Sequence, residues 1–520
     1  MAKQEAIHLR DLFARLKALG LFLRYEGDPL ENIAFPSFTC DSRKVQKDGV
    51  FIAYPGVQHD GHSFIKEVLK KGVALVICER SDEIAAAPLV NKKRVLIVSD
   101  ARGAWAIISS LSFRRPELEL SILGITGTNG KTSIAFLTHK MLALKGIRSG
   151  LIGTLGVYID DKIYPSSLTT PDPPELFKYF AEMRDVGIKY LIMEVSSHAL
   201  SMHKLLGLKF KAVAFSSFSQ DHLDYHQTMQ AYWDAKCELF TEKYLEPGCK
   251  IFLSGSLPNF PQIPSFAKVS CYSSSTPVAM PDTFNFAQYK LTALAQTNQR
   301  KHLYIHYQNI EASSELGLFA DYAAENFCAA LLLVHATCGQ LLEPALWQKV
   351  PQVPGRLELV KVNKNDENEE VLVFVDYAHS PDALEKCLLA LRQLSPNKLW
   401  LVFGCGGDRD RGKRPKMAAV AERLADKIIV TSDNPRKESS EQIFSDIYSG
   451  FSNPKAAQLI PDRKQAIGAA LLSAQTNDIV LIAGKGHENY QIIGDQIFEF
   501  SDPSTARQLL ISRLATKSEM

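Results

Sequence analysis

The segment GITGTNGKTS, residues 124–133, constrains the fold of this chain more than any other stretch. It follows a short apolar run and precedes a helical pattern, so we predict a strand, a glycine-rich turn and a helix in succession. Gly127 and Gly130 would let backbone N–H groups turn toward phosphate oxygens, and the start of the helix adds its positive dipole. Lys131 would reach the terminal phosphates, and the hydroxyl of Thr132 could bind magnesium. We therefore predict a nucleotide-binding loop rather than an ordinary tight turn with a solvated lysine.

The composition is that of a soluble globular protein. Of the 520 residues, 46% are hydrophobic and 22% charged, and the length indicates roughly two to four domains. The net charge is only +2, so nothing in the overall charge indicates a nucleic-acid or membrane-surface partner. Nine cysteines occur without CxxC pairs, which favours reduced thiols over disulfides or zinc. We see no signal peptide and no run near the roughly 18 apolar residues of a membrane span, so we expect a cytoplasmic protein without membrane insertion.

Three blocks with different patterns divide the chain. Residues 1–113 carry short apolar strands between helical segments. Residues 114–354 begin near the phosphate loop and alternate strand with helix, as in the predicted strand at 149–159, which indicates parallel pairing with right-handed crossovers. Within this block, residues 265–315 alternate polar and apolar positions, as expected of an antiparallel sheet. Residues 355–520 repeat the α/β pattern, so we predict an α/β protein of three domains with these boundaries.

Glu194 stands at the end of the apolar strand KYLIM, which we expect to lie beside the strand before the phosphate loop. The carboxyl ends of neighbouring parallel strands meet at one edge of a sheet. A carboxylate at that edge could hold magnesium against a nucleotide. The alternative is a carboxylate paired with a nearby lysine.

A cluster of histidines and carboxylates precedes an unusual lysine. Asp221, His222, Asp224 and His226 fall within six positions, and together they could bind a metal or form a structural network. The following helical pattern has an apolar stripe at spacings of three and four. The stripe consists of Met229, Tyr232, Trp233, Leu239 and Phe240. Lys236 lies on this stripe, so its ammonium must find a carboxylate, lose its charge or be modified, unless it snorkels to solvent.

Charged loops follow the predicted strands of the third block. Residues 404–416 begin with GCGG, and residues 408–416 hold five basic against two acidic side chains. We predict a flexible loop that binds carboxylate or phosphate groups through guanidinium rather than a solvated run of charge. The segments DNPR, residues 433–436, and GKGHE, residues 484–488, also follow strands. Because such loops lie at one edge of a parallel sheet, they predict a single pocket whose cation and two carboxylates would suit an amino acid.

An ordered series of motifs resembles those of the Mur ligase family. The motifs are GTNGKTS, LTTPDP, MEVSSHAL, DHLDYH with a lysine fourteen residues after its first histidine, VPGRLE, DYAHSPDAL, GCGGDRDRGKRP, DNPR and GKGHE. The resemblance extends from the Asp41-Ser42-Arg43 region to Glu488. It implies a UDP-binding domain at residues 1–113, a central ATP-binding P-loop domain at 114–354, and a C-terminal, Rossmann-like domain at 355–520 that binds an amino acid.

The resemblance also implies a reaction. An ATP-dependent, Mg²⁺-requiring acid–amino-acid ligase would add meso-diaminopimelate to the D-Glu γ-carboxylate of UDP-MurNAc-L-Ala-D-Glu through an acyl phosphate. This step belongs to cytoplasmic peptidoglycan synthesis, and so to cell-wall biogenesis, cell shape and cell division. In the family the DNPR motif accompanies diaminopimelate, because Arg436 would meet its distal carboxylate. We expect a monomer.

Residue by residue, the resemblance implies the following sites. The catalytic residues are Lys131, Glu194, His222 and Lys236, the last as a carbamate, and the metal ligands are Thr132, Glu194, His222 and Lys236. The ATP-binding residues are Gly127, Thr128, Asn129, Gly130, Lys131, Thr132, Asn326, Arg356, Asp376 and His379. The UDP-substrate residues are Ser42, Val57, Gln58, His59, Thr169, Thr170, Ser196 and Lys204. The amino-acid residues are Arg409, Asp433, Asn434, Pro435, Arg436, Gly484 and Glu488.

Four positions depart from the family pattern, and three alternatives remain. Lys204 stands where arginine is usual, which weakens bidentate recognition of a carboxylate, and Ser217 and Ala323 replace asparagines. Met202 replaces a polar residue of some members. These departures bear on affinities and not on the reaction. The alternatives are a lysine-adding Mur ligase, a folylpolyglutamate-synthase-like ligase, and a nucleotide-binding switch without catalysis.

Overall fold

The computed structural model describes residues 4–27, 33–56, 59–79, 94–166, 168–275, 280–281, 283–294, 297–317, 319–362 and 371–518. The strands among these residues form three large sheets, which follow one another along the chain, and two sheets of two strands. Buried apolar clusters lie on both faces of each large sheet. Every helix in the described ranges is too short or too polar to span a lipid bilayer.

The first large sheet lies within residues 7–112. The elements of this part are β1 (Ile7–His8), α1 (Leu9–Ala18), β2 (Phe22–Glu26), β3 (Ala34–Phe35), β4 (Phe38–Thr39), β5 (Val50–Ile52), α2 (Ile65–Lys70), β6 (Leu75–Cys78), β7 (Arg94–Val98) and α3 (Ala101–Ser112). The strand order is β2-β7-β6-β5-β4, with β4 to β7 parallel and β2 antiparallel at one edge. Leu75 and Ile77 enter one apolar cluster while Val76 and Cys78 enter the other, because successive side chains of a strand point to opposite faces.

The second sheet has eleven strands and carries the phosphate loop. Its part of the chain contains β8 (Ser121–Thr126), α4 (Lys131–Leu144), β9 (Ser149–Gly153), β10 (Gly156–Ile159), β11 (Lys162–Tyr164), α5 (Pro173–Asp185), β12 (Tyr190–Glu194), α6 (Ser197–Ser201), β13 (Phe210–Phe215), α7 (Leu223–His226), α8 (Met229–Cys237), β14 (Leu245–Ser254), β15 (Lys268–Ser273), β16 (Asn285–Leu294), β17 (Thr297–Tyr307), β18 (Ile310–Leu316), α9 (Asp321–Cys338) and α10 (Pro344–Trp347). The order is β11-β10-β9-β12-β8-β13-β14-β15-β16-β17-β18, parallel from β9 to β16 and antiparallel at both edges. The predicted parallel sheet with an antiparallel extension is confirmed.

Two details predicted for this block are wrong. Residues 149–159 form two antiparallel strands, β9 and β10, because the chain reverses between them and Gly156 adopts a φ of 109°. Residues 265–315 are only partly antiparallel, since β15 pairs in parallel with β14 and β16. Alternation of polar and apolar residues reports one exposed face of a strand and not the direction of its neighbour.

The third sheet has six strands with helices on both faces. Its part of the chain contains β19 (Glu358–Leu359), β20 (Val371–Asp376), α11 (Pro381–Arg392), β21 (Leu399–Phe403), α12 (Lys413–Leu424), β22 (Lys427–Val430), α13 (Ser440–Tyr448), β23 (Ala457–Leu459), α14 (Arg463–Ser473), β24 (Asp478–Ala483), β25 (Tyr490–Ile493), β26 (Gln496–Glu499) and α15 (Asp502–Ser518). Of these strands, β25 and β26 form a separate sheet of two strands. The order is β19-β20-β24-β21-β22-β23, and β20 to β24 are parallel. Helices α11 to α13 pack on one face and α14 and α15 on the other. This arrangement confirms the Rossmann-like expectation, whereas the exact domain boundaries stay a prediction.

A buried ion pair joins the last two helices of the third part. The guanidinium of Arg463 donates two hydrogen bonds to Asp502, at 2.8 and 2.7 Å, and a third to the carbonyl of Ala483 at 2.9 Å. Both charged side chains are 0% exposed. Because Arg463 begins α14 and Asp502 begins α15, the pair fixes both helix starts against the end of β24.

We predict that Asp502→Ala lowers the free energy of unfolding by about 3–5 kcal/mol, because it leaves a guanidinium buried without its counter-charge. Calorimetric unfolding of the full chain measures the effect. The control is Asp495→Ala, which removes an exposed carboxylate paired with Lys437 at 2.9 Å and should leave the unfolding midpoint unchanged. Equal losses in the two variants would contradict this account of the pair.

Candidate active site

The phosphate loop has the predicted strand–turn–helix geometry. Strand β8 ends at Thr126 and helix α4 begins at Lys131. Gly127 and Gly130 adopt φ values of 145° and 88°, a region that side-chain-bearing residues rarely enter. A Cβ atom at Gly127 would lie 2.0 Å from Ser216 Oγ, and one at Gly130 would lie 2.5 Å from an oxygen of Asn326. Both glycines are therefore required by backbone conformation and by space.

Two lysines meet at a single carbonyl of this loop. Lys131 Nζ donates to Gly127 O at 2.8 Å and to Thr128 O at 3.0 Å, and Lys236 Nζ donates to the same Gly127 O at 2.8 Å. Lys236 is 1% exposed, and its Nζ lies 4.5 Å from the centre of the Tyr232 ring. Burial lowers the pKa of Lys131 and holds the pKa of Lys236 well below its usual value. The snorkelling alternative for Lys236 is wrong, and no carboxylate of the described residues forms an ion pair with either lysine.

Glu194 lies at the predicted place, at the end of β12 and beside β8. Its side chain accepts hydrogen bonds from Thr132 Oγ1 at 2.9 Å, from the backbone N–H of Thr154 at 2.7 Å and from Thr154 Oγ1 at 3.2 Å. The alternative, that Glu194 pairs with a nearby lysine, is wrong, because its carboxylate accepts hydrogen bonds from two threonines instead. Thr132 and Glu194 together offer a hydroxyl and a carboxylate, which are the oxygen ligands that Mg²⁺ prefers. Sequence reasoning missed Thr154, although the adjacent Gly153 allows the Glu194 carboxylate to approach closely.

His222 belongs to a cluster of aromatic rings. Its ring centre lies 4.9 Å from that of His198 and 5.9 Å from that of Tyr232, and its Nε2 lies 3.6 Å from Asp221 Oδ2. Burial lowers the pKa of His198 and of His226 to about 4, so both rings are neutral near pH 7. No group of three or more His, Cys, Asp or Glu side chains within the described ranges could by itself hold a metal ion. A metal at Thr132 and Glu194 would need ligand oxygens from a bound molecule.

A cavity of about 330 Å³ opens between the second and third sheets. It is lined by Asn326 from α9 and by Arg356 from the third part, together with apolar residues such as Phe327 and Trp347. The Arg356 guanidinium lies 4.5 Å from the centre of the Tyr377 ring, and its Nη2 is 3.4 Å from Thr132 Oγ1. The cavity therefore adjoins the phosphate loop.

The other two predicted ATP residues serve the loop after β20. Asp376 accepts backbone N–H groups of Leu357 at 2.6 Å and of Ala378 at 2.7 Å, and burial raises its pKa. His379 Nδ1 lies 2.8 Å from Tyr377 O. Neither side chain lines the cavity, and both shape the loop that follows β20. That they bind ATP stays a prediction.

The predicted UDP-substrate residues fall into two groups. Ser42 follows β4 and His59 follows β5, at the carboxyl edge of the first sheet, whereas Val57 and Gln58 lie outside the described residues. Thr169, Thr170 and Ser196 surround the end of β12: Thr170 Oγ1 donates to Glu194 O at 2.9 Å and accepts from the Ser196 N–H at 3.2 Å. Thr169 Oγ1 lies 3.2 Å from Thr154 Oγ1.

Lys204, the first of the departures, already has a counter-charge. Its Nζ lies 2.6 Å from Asp172 Oδ1, so the ammonium is anchored before any ligand arrives. Ser217, another departure, accepts the N–H of Asn129 at 3.0 Å and donates to Asn129 O at 3.1 Å. A shorter side chain thus lies against the phosphate loop where the family pattern has asparagine.

The segments DNPR and GKGHE meet after β22 and β24, as predicted. Asn434 Nδ2 donates to Glu488 Oε2 at 2.8 Å, and Lys485 Nζ donates to the same oxygen at 3.0 Å and to Asn434 Oδ1 at 3.1 Å. Lys485 is 0% exposed, and sequence reasoning missed its part in joining the segments, although a lysine between two glycines at a strand end was a usable signal. Gly484 has a φ of 116°, and its Cβ would lie 2.5 Å from Asp433 Oδ2.

Arg436 lies beside this cluster with its charge available. Its Nη1 donates to Gly407 O at 2.8 Å and its backbone N–H to Ile492 O at 3.1 Å. In the part of the chain that the structure describes, neither the guanidinium of Arg436 nor the carboxylate of Asp433 forms an ion-pair contact, although Asp433 also attracts the buried guanidinium of Arg463. The neighbouring segments thus present one guanidinium and one carboxylate that are free of direct ion pairs.

The prediction of a flexible arginine loop at 404–416 is wrong for two of its arginines. Arg414 is 0% exposed and lies in α12, where its guanidinium donates to Glu438 at 2.7 and 2.8 Å and to Asp446 at 2.8 Å. Arg411 pairs with the same two carboxylates, at 3.3 and 3.1 Å. Both arginines are therefore engaged within the protein, and Arg409, which is exposed and forms no ion pair among the described residues, is the one left for a ligand.

The chain is similar to known proteins over more than nine-tenths of its length. Family models described as "Mur ligase family, catalytic domain", "Mur ligase middle domain" and "Mur ligase, glutamate ligase domain" match residues 37–114, 125–334 and 355–486. UDP-N-acetylmuramoyl-L-alanyl-D-glutamate–2,6-diaminopimelate ligase of Coxiella burnetii is 40% identical over 485 residues, 92% of this chain and 96% of that protein. The enzyme of that name from Geobacillus kaustophilus is 37% identical over 504 residues, 95% and 98% of the two chains. A solved structure of an enzyme of that name has 31% identity and a TM-score of 0.63, over 94% of this chain and 97% of that chain.

Proposed function

The chain belongs to the Mur ligase family, and from that premise we propose that it is the ATP-dependent ligase that adds meso-diaminopimelate to UDP-MurNAc-L-Ala-D-Glu. The new amide joins the γ-carboxylate of the D-glutamate to an amine of diaminopimelate. The observation that carries the proposal is the meeting of Lys131 and Lys236 at the Gly127 carbonyl, beside Thr132 and Glu194. The cytoplasmic location and the monomeric state stay predictions.

ATP would bind across the phosphate loop and the adjoining cavity. Lys131 now donates to two carbonyls of its own loop, and it would exchange them for the β- and γ-phosphate oxygens, which are better acceptors for a buried ammonium. The base would enter the cavity near Asn326 and Arg356. The guanidinium of Arg356 already lies next to Thr132. A bound triphosphate would therefore contact two cations, Lys131 from the second part of the chain and Arg356 from the third.

Mg²⁺ fits the pair Thr132 and Glu194, because the ion commonly takes one or two protein carboxylates and completes its shell with phosphate and water. His222 and the modified Lys236 are the other ligands we propose. When bound, the ion would neutralise charge that develops on the transferred phosphoryl group.

The reaction then takes two displacements. A γ-carboxylate oxygen of the UDP-linked dipeptide attacks the γ-phosphorus of ATP, the bond to the bridging oxygen breaks, and ADP leaves. The amine of diaminopimelate attacks the acyl carbon, phosphate leaves with the bonding electrons, and the amine loses a proton. The task of Lys131 is to hold phosphate oxygens and stabilise their charge in both steps, as expected for phosphoryl transfer.

We propose that Lys236 works as a carbamate. Burial holds its pKa well below the usual value, and the neutral amine is the form that attacks carbon dioxide; a C–N bond forms and one proton is released. The product is an anion, which would attract the ammonium of Lys131, whereas a charged Lys236 would be repelled by it. Its oxygens would also extend the ligand set near the proposed magnesium.

We predict that Lys236→Ala abolishes turnover and that formate or acetate partly restores it, because a small carboxylate can refill the space left by the carbamate. In the wild type, ¹³C-labelled carbon dioxide should give a carbamate signal by NMR that Lys236→Met lacks. The control is Lys145→Met, which removes a lysine that is paired with Glu343 at 2.8 Å and should keep both activity and the signal. Full activity of Lys236→Ala would rule out the carbamate role.

The choice of amino acid rests on Arg436. Its unpaired guanidinium would attract the distal carboxylate of diaminopimelate and repel the distal ammonium of lysine, and such paired attraction and repulsion is how specificity is built. The carboxylate of Asp433, which forms no direct ion pair, would accept an ammonium of the same ligand. Lys485 already neutralises Glu488. Arg436 and Asp433 therefore remain to bind the carboxylate and the ammonium at the far end of diaminopimelate.

We predict that the wild type prefers diaminopimelate to lysine in an amino-acid panel with ATP and UDP-MurNAc-L-Ala-D-Glu. Arg436→Ala should raise KM for diaminopimelate by about 10- to 200-fold, the equivalent of one charged hydrogen bond of about 1.5–3 kcal/mol. KM for ATP and for the UDP substrate should hardly change. The neighbouring variant Lys437→Ala, at an exposed residue, is the control and should behave as wild type. Equal use of lysine and diaminopimelate by the wild type would contradict the proposed substrate.

A further inference from the structure

Asp382 links the third sheet to the phosphate loop of the second sheet. It is the second residue of α11, the helix that follows β20. Its Oδ2 accepts hydrogen bonds from Asn129 Nδ2 at 3.2 Å and from Ser219 Oγ at 3.0 Å. The same oxygen lies 2.9 Å from the ammonium of Lys386, one helical turn further along α11. One carboxylate oxygen thus joins three donors from two parts of the chain.

The two loops that Asp382 contacts are bound tightly to each other. Thr128 N–H donates to Ser217 O at 2.8 Å, and the N–H of Ser219 donates to Thr128 Oγ1 at 3.1 Å. The N–H of Asn129 donates to Ser217 Oγ at 3.0 Å. The phosphate loop and the segment after β13 therefore form one hydrogen-bonded unit. Asp382 contacts both segments of this unit, through Asn129 and Ser219.

We propose that Asp382 is a positioning residue that holds the phosphate loop in its nucleotide-binding conformation from the third sheet. The inference rests on the proposed use of ATP. Asn129 lies between Thr128 and Gly130, so a fixed Asn129 side chain limits how far the backbone N–H groups of the loop can rotate. Because Asp382 lies in α11, which packs on the sheet that carries the amino-acid segments, its contact ties the position of that sheet to the shape of the phosphate loop.

An alternative is that Asp382 only stabilises its own helix, α11. A carboxylate in the first turn of a helix is favoured by the helix dipole, and Asp382 and Lys386 have the i, i+4 spacing of a helical ion pair. Those two effects need the negative charge, whereas the contacts to Asn129 and Ser219 need only an oxygen acceptor. Asp382→Asn keeps an oxygen and removes the charge, so it separates the two accounts.

The first measurement is deuterium uptake of the phosphate-loop amides in nucleotide-free protein. Asp382→Ala should exchange faster across residues 127–130, and Asp382→Asn should stay close to wild type. Lys386→Met, which removes only the helical ion pair, should match wild type. This measurement needs no substrate, so its outcome does not depend on the proposed reaction.

The second measurement is steady-state kinetics with varied ATP. Asp382→Ala loses two hydrogen bonds, so kcat/KM for ATP should fall by about tenfold, whereas KM for the amino acid should change little. Ser219→Ala removes one of the two contacts without altering α11, and about a threefold fall is expected. The proposal is overturned if Asp382→Ala matches wild type in exchange and in kcat/KM for ATP. It is also overturned if Asp382→Asn is as impaired as Asp382→Ala, because charge at the helix start would then be the cause.

Discussion

Two buried lysine amines that share one carbonyl oxygen are the constraint around which the site is organised. Lys131 and Lys236 both donate to Gly127 O at 2.8 Å, at a place where burial disfavours charge on either one. The charge of Lys131 further lowers the pKa of Lys236, because like charges repel each other in a protein interior. The arrangement becomes favourable when negative charge enters between them, and the triphosphate and carbamate of the proposed reaction both supply it.

The topology of the second sheet explains how a few segments of the chain can form the phosphate site. Strands β12, β8 and β13 are neighbours in the sheet and run parallel, so their carboxyl ends deliver Glu194, the phosphate loop and residues 216–219 to one edge. The third sheet repeats this logic with β22 and β24, whose ends carry Arg436 and Glu488. Contacts of Arg356 and Asp382 with the phosphate loop join the two edges, which is what a reaction between an activated acyl group and an incoming amine requires.

The sequence was most informative where a backbone conformation is mandatory. Gly127, Gly130, Lys131 and Thr132 could be placed because a phosphate loop demands those residue types in that order, and Glu194 because an apolar strand ended there. The burial of Lys236 could be posed only as a question, since snorkelling was also open to it. Residues whose partners are distant in sequence could not be assigned from the sequence. Arg414 has the local pattern of a ligand-binding arginine, but it is paired with Glu438 and Asp446. The prediction of antiparallel strands at residues 265–315 was wrong for a related reason. Alternation of polar and apolar residues carries no information about the direction of the neighbouring strand.

The central claim is that the phosphate loop and its lysines transfer a phosphoryl group to the carboxylate of the UDP-linked dipeptide before the amine attacks. Isotope transfer tests it directly. The D-glutamate γ-carboxylate is labelled with ¹⁸O, the full reaction is run with ATP and diaminopimelate, and the phosphate released is analysed by mass spectrometry. The account predicts that each phosphate formed from labelled substrate carries one ¹⁸O atom, because the carboxylate oxygen leaves with the phosphoryl group. Phosphate without ¹⁸O, formed along with the amide product, would contradict the account.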